Sequence, residues 1–292
     1  MKHSVVRILA AGLLLSGASL IQAQSPEPPH LLRIFREDIK SGKNAVHENV
    51  ESGYVRAFSK TSYPSYLGLD GITGTNQAWF LESHDSYESM DKAIHVGETE
   101  PLKSKLAQLD AEDGELRTGE RNMVAVYQSD LSYLPVPSNL AKARFVGIGT
   151  VRVHPGHSAD FAEMRKLVNA AYAKSGSKQR RVVYSVVSGA PAGTYLILSA
   201  MDSLKAMDPP PSGMMSMLDA FGADNLARYN KLQSEIVISS ENTMFEVNPK
   251  MSNPPKEFIA ADPDFWAPKP AAAKPAAPKP AATSAAKPVG SQ

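Results

Sequence analysis

The sequence predicts an α+β fold of two tandem βαββαβ units whose four-stranded sheets pair with each other. Three observations carry that expectation. First, one stretch recurs: Trp79–Asp91 and Leu196–Asp208 both run from apolar residues into Asp-Ser-x-x-x-Met-Asp, so Asp85, Ser86, Met90 and Asp91 fall on Asp202, Ser203, Met207 and Asp208 at an offset of 117. Second, flanking landmarks keep the same order. Gly42 precedes Gly156 by 114 residues, and Asp130-Leu131-Ser132 precedes Lys250-Met251-Ser252 by 120. Such drift is what short loop insertions produce, because lengthening a surface turn costs little chain entropy. Third, Trp79-Phe80-Leu81 and Tyr195-Leu196-Ile197-Leu198 are apolar on consecutive residues. Successive strand side chains point to opposite faces, so these strands need cover on both sides. Two helices cover one face of each sheet, and the other sheet is the natural cover for the second.

The elements follow in order. Leu31 to Phe35 reads as a strand, Ser41-Gly42 as a turn, and the next segment as a helix with Val46, Val50, Tyr54, Ala57 and Phe58 on its apolar face. Tyr66–Leu69 and Gln77–Glu82 form a hairpin around Gly71–Gly74. Asp85 or Ser86 caps a helix that breaks near Gly97 and resumes over Leu102–Leu109, and Met123–Tyr127 is the fourth strand. The second set runs through a strand at Phe145–Val153 and a helix with Phe161, Met164, Val168, Ala171 and Tyr172 inward. Strands at Val182–Val187 and Thr194–Ser199 come next. A helix opened by Asp202 or Ser203 is broken by Pro209-Pro210-Pro211 and resumes at Met214–Phe221 and Leu226–Leu232, before a strand at Thr243–Val247.

Neither end reads as folded material. Lys2 and Arg7 precede an apolar run from Ile8 to about Ile21 that is short for a membrane span, and Ala23-Gln24 offers a cleavage point, so residues 1–23 are expected to be a secretory signal. A lead-in over 24–30, a first unit over 31–134, a linker over 135–143 and a second unit over 144–252 follow. Residues 253–292 are expected to be a disordered Pro/Ala/Lys-rich tail, since proline removes donors and little there is large and apolar. Its lysines make it a candidate for contact with an anionic envelope surface. With both ends set aside, residues 24–264 hold 25 basic and 30 acidic side chains, a net charge of −5. A mildly acidic body argues against nucleic-acid binding, which draws on clustered Lys and Arg. The absence of cysteine excludes thiol catalysis, disulfides and Cys-ligated metals. The expected location is the bacterial periplasm or the medium, with no transmembrane span once the signal is removed.

The turn-and-helix segments Ile39-Lys40-Ser41-Gly42-Lys43 and Val153-His154-Pro155-Gly156-His157, with the recurring Asp-Ser-x-x-x-Met-Asp, resemble the dimeric α/β-barrel superfamily. The likeness is greatest to its antibiotic-biosynthesis-monooxygenase-like and NIPSNAP-like branch, as a tandem duplication over about residues 31–252. It implies ferredoxin-like units pairing sheet to sheet as a pseudo-dimeric barrel, with a pocket between sheet and helices. That superfamily includes cofactor-independent oxygenases, haem enzymes and proteins without known chemistry. No catalytic motif of theirs maps onto this chain.

Comparing the two copies singles out the first. His47 falls on Phe161, placing an imidazole where the other copy has a core ring, and Trp79 falls on Leu196. Tyr54 and Tyr66 lie nearby if the helix crosses the hairpin, while Tyr172 and Tyr184 stand as counterparts of Phe58 and Tyr66. The candidate pocket is therefore His47, Trp79, Tyr54 and Tyr66. His154, His157 and Asp160 straddle a turn, so no metal is expected there, and no cofactor is expected elsewhere. Met214, Met215 and Met217 read as core, and Glu112, Asp113 and Glu115 around Gly114 as a solvated loop. The functional expectation is an exported protein that binds a small apolar or aromatic ligand without catalysis. The alternatives are a cofactor-independent monooxygenase-like pocket enzyme, with His47 as proton acceptor, and haem binding through His47.

Overall fold

Eight antiparallel strands close into a single barrel, and helices flank it on two sides. The computed structural model describes residues 27–267 apart from 135, 137–138 and 210–214. The first run is β1 (Leu31–Ile39), α1 (Asn44–Phe58), β2 (Tyr66–Gly71), β3 (Gln77–His84), α2 (Tyr87–Gly97), α3 (Leu102–Gly114) and β4 (Arg117–Tyr127). The second is β5 (Phe145–Val153), α4 (Ser158–Lys174), β6 (Val182–Ser188), β7 (Thr194–Met201), α5 (Met217–Phe221), α6 (Ala223–Ile236) and β8 (Val237–Asn253). Around the barrel the order is β1-β3-β2-β8-β5-β7-β6-β4. Each run keeps its four strands together. Two seams join them, β2 to β8 through Leu69 opposite Val247, and β4 to β6 through Ala125 opposite Val186. Closure leaves no strand edge unpaired, so the sheets cover each other as a barrel and not as an open sandwich.

Strand alternation sorts the side chains. Ile34, Leu69, Trp79, Leu81, Leu196 and Phe245 point into the barrel and form its packed interior. Leu81 is 6% exposed and Leu198 packs against the same interior, so the consecutive apolar runs do have cover on both faces. The residues between them face the helices: Ile39, Tyr66 and Phe80 under α1 and α3, and Val151, Val183 and Tyr195 under α4 and α6. Because this alternation has period two, an error of one residue in comparing the halves reverses a side chain. Tyr184 is such a case. It lies inside the barrel, its hydroxyl donating to Pro29 O, so it does not match the outward Tyr66 as expected; Val183, 117 residues after Tyr66, is the residue that faces the helices.

Turns and caps follow the local sequence. Gly42 and Gly156 both hold positive φ (76° and 88°) where strand gives way to helix, a conformation glycine adopts without steric cost. Ser86 caps α2 by accepting from Ser89 N. Its second-half equivalent, Ser203, opens only the short 3₁₀ turn Leu204–Met207.

Three expectations need correction. The tail does not begin at 253: α7 (Lys256–Ala261) and α8 (Pro263–Trp266) return to the barrel mouth, where Trp266 is 3% exposed and donates from Nε1 to Ala141 O at 2.7 Å. Phe258, Ile259 and Phe265 pack there too, supplying the apolar cover that the following Pro/Ala/Lys stretch lacks. The inward face of α1 departs from expectation in its first half, since Tyr54, Ala57 and Phe58 do pack inward. Val46 is 49% exposed, while His47, Glu51 and Phe58 are buried. The linker is also partly ordered, with a 3₁₀ turn at Leu140–Lys142. The signal over 1–23, the stretch 268–292 and Met214 lie outside the described residues, whereas Met215 is 44% exposed and Met217 packs beside Phe221.

Candidate functional site

The two helix-covered faces of the barrel are chemically unlike. In the second half Phe161 stacks on Tyr195 with ring centroids 4.1 Å apart, and Val151 and Val237 pack into or against the same core. At the positions 114 or 120 residues earlier the first half carries His47, Glu37 and Arg117. Glu37 follows Arg33 and Phe35 at every second residue on the cavity-lining face of β1. His47, Glu51, Tyr54 and Phe58 lie on one face of α1 at spacings of four, three and four, as a 3.6-residue period requires. Leu106, Asp110 and Asp113 do the same on α3, and Arg117 follows at the start of β4.

These elements bring five charged or ionisable groups together under α1. Glu37 Oε2 lies 2.8 Å from His47 Nε2, Asp113 Oδ1 lies 3.5 Å from the same nitrogen, and Glu51 Oε1 lies 3.9 Å from it. Arg117 binds the other oxygens, Nη1 to Glu37 Oε1 and Nε to Asp113 Oδ2, both at 2.8 Å, and it also reaches Glu120 at 2.6 Å. Glu37 and Asp113, both pinned by Arg117, thus turn their second oxygens toward His47. All four ligand-type residues are buried, and Asp113 Oδ1 has no hydrogen-bond partner among the described residues. Burial, followed by repulsion from Glu37 and Asp113, holds the Glu51 carboxyl well above the usual carboxylate range. Burial and Glu37 push Asp113 up to about 6, against the opposing pull of Arg117 and His47.

Beside this cluster a cavity of about 450 Å³ opens between α1, α3 and the first-half strands. Its walls include Phe35, Tyr54, Phe58, Tyr63, Tyr66 and Phe80. Its polar margin holds Glu37, Glu51, Glu82, Asp110 and Glu120 against Arg33 and Arg117, so acids outnumber bases. Tyr54 donates to Asp110 at 2.6 Å and Tyr63 to Glu82 at 2.5 Å. Burial leads in raising both phenols, so both stay protonated donors.

Of the four pocket candidates, Tyr54 and Tyr66 line this cavity, and His47 lies beneath it, behind Glu37. Trp79 does not join them. It sits on the barrel-interior face of β3, tilted against Phe245 at 5.3 Å, with its Nε1 donating to Gln77 Oε1. Its neighbour Phe80 is the ring that faces the cavity. The acidic group at 112–115 is not a solvated loop either. Glu112 and Asp113 end α3, and Asp113 is 1% exposed because Arg117 and His47 compensate its charge. Sequence reasoning missed Glu37, Glu51, Asp113 and Arg117. A signal was present for one of them, since Glu37 falls on Val151 under the same offset that matched His47 with Phe161. Of His154, His157 and Asp160, His157 pairs with Asp160 at 2.8 Å in a partly solvated position.

No protein-family model matches the chain, and no curated protein matches it. Solved structures do. A monooxygenase-like protein from Fusobacterium nucleatum is 10% identical with a TM-score of 0.50, covering 76% of this chain and 94% of its own. An anthrone oxidase-like protein is 13% identical with a TM-score of 0.51, covering 76% and 92%. A chlorite dismutase from Candidatus Nitrospira defluvii is 9% identical with a TM-score of 0.44, covering 80% and 96%. At such identities the likeness of the first two shows the fold alone, an α+β architecture built on an antiparallel barrel.

Proposed function

We propose that this chain is an exported small-molecule-binding protein whose ligand occupies the cavity between the first-half sheet and helices α1 and α3. The asymmetry between the halves carries this reading: one face is filled by Phe161 on Tyr195, while the matching face keeps an aromatic-walled cavity of about 450 Å³. That size and lining suit a small organic ligand. Six aromatic rings favour a flat or apolar body, and the excess of carboxylates favours a ligand that brings a cationic or hydrogen-bond-donating group. A thermal-shift panel of aromatic amines and aromatic acids tests it. The amines should raise the melting temperature, and Leu106→Trp, which fills the cavity, should abolish the rise. No response to either class, or an equal response in the filled variant, would remove the reading.

Two finer inferences accompany it. The two βαββαβ runs are read as copies of one unit, supported by their common strand order and by the paired turns at Gly42 and Gly156. Co-expressed fragments 24–134 and 139–267 should then reassociate; fragments that stay apart would count against independent units. Export rests on residues 1–23 alone, and Edman sequencing of the protein recovered from cells should begin at Gln24. Retention of Met1 would overturn it. A haem reading finds no support in His47, whose Nε2 faces Glu37.

A further inference from the structure

We propose that Glu37, His47, Glu51 and Asp113 form a binding site for one divalent transition-metal cation, of the class that accepts an imidazole together with carboxylate oxygens. Four donor atoms from β1, α1 and α3 lie within 4.8 Å of one another, all on buried residues. Distances to His47 Nε2 of 2.8, 3.5 and 3.9 Å gather three carboxylate oxygens around one ring nitrogen. Such a nitrogen carries at most one proton, so it can satisfy one of those oxygens and not three. Glu37 takes that place. Among the described residues Asp113 Oδ1, on a side chain 1% exposed, is left without a hydrogen-bond partner while it lies 3.5 Å from His47 Nε2, and the one basic side chain paired with Glu51 is His47, at 3.9 Å. A buried acceptor with no donor is costly, and a metal ion is a partner that several oxygens can share.

Charge points the same way. Glu37, Glu51 and Asp113, once all ionised as metal ligands, sum with the Arg117 guanidinium to two negative charges, which one divalent ion neutralises. Arg117 acts here as a positioning residue: it holds Glu37 Oε1 and Asp113 Oδ2, so their other oxygens face inward. Outer-shell partners of metal carboxylates characteristically orient them in this way. One imidazole with oxygen donors suits Mn²⁺, Fe²⁺ or Zn²⁺ better than a soft, thiolate-seeking ion. Glu51 also borders the cavity, so a ligand there could complete the coordination, but the site does not depend on one.

The test uses the mature chain, stripped with chelator and titrated with Mn²⁺ by electron paramagnetic resonance and with Zn²⁺ by calorimetry. One equivalent should bind, with loss of the free Mn²⁺ signal. Glu51→Gln keeps the side chain's shape and breaks no hydrogen bond among the described residues, and it should weaken binding by about tenfold or more. Asp113→Asn should do likewise, with far-ultraviolet circular dichroism confirming the fold of both. His157→Ala, on the exposed turn, should leave binding unchanged. Absence of binding to the folded protein, or binding that Glu51→Gln leaves intact, overturns the site. Because no organic ligand enters the assay, its failure leaves the small-molecule reading untouched.

Discussion

Asp113, the penultimate residue of α3, is joined to Arg117, the first residue of β4, by a 2.8 Å contact from Oδ2 to Nε. Through Nη1 Arg117 also holds Glu37 on the neighbouring strand. The helix end, the strand start and the adjacent strand are thus tied by one cation. Arg117→Met should strand two buried carboxylates and lower the unfolding free energy by about 3 kcal/mol or more, read by urea denaturation. A loss under about 1 kcal/mol would mean that the carboxylates find another partner or take up protons at little cost.

The packed half should respond differently from the open half. Phe161 is fully buried against Tyr195, so Phe161→Ala should cost about 3–5 kcal/mol. Phe58 stacks on Tyr63 at 3.8 Å but borders the cavity, where neighbours have room to shift. Phe58→Ala should cost less, and denaturant midpoints of the two variants give the comparison. Equal losses would contradict the proposed difference in packing.

The two tryptophans report on the core and not on the cavity. Trp79 is 2% and Trp266 3% exposed, so native emission should be blue-shifted and poorly quenched by acrylamide. A ligand held between α1, α3 and the sheet should perturb tyrosine signals more than tryptophan emission, because Trp79 faces the barrel interior. Strong tryptophan quenching by a bound aromatic amine would place the ligand inside the barrel instead.

The C-terminal helices carry an acid-sensitive tie. Hydrogen bonding from Arg144, with Lys142 adding its charge, holds the Asp262 carboxyl below its ordinary 3.8. A lowered folded value means that the unfolded chain binds the proton more readily. The contribution is therefore complete at neutral pH and fades as pH falls through and below that range. Asp262→Asn should flatten the dependence of the unfolding midpoint between about pH 2 and pH 5, a change visible in denaturant titrations. An unaltered acid slope would remove Asp262 from that role.

Much of the fold was legible because it depends on local chemistry. Gly42 and Gly156 mark turns through their positive φ, and the doubly apolar runs at Trp79–Leu81 and Tyr195–Leu198 state that both strand faces are covered. The α1 face shows where legibility ends. An apolar-stripe rule selects Val46, yet the chain turns His47 and Glu51 inward, because Arg117, seventy positions along from His47, supplies the compensating charge. For the same reason Asp113 looked like surface.

By itself the sequence determined the repeated strand and helix order, the turn positions and the need for two-sided cover, all of which follow from residue-by-residue periodicity and backbone preference. Only the tertiary structure decided that the sheets close edge to edge, that Trp79 faces inward and Phe80 outward, and that Glu37, His47, Glu51, Asp113 and Arg117 meet. A buried charge is tolerable only beside its partner, and that partnership exists only once the barrel has brought distant segments within a few ångströms.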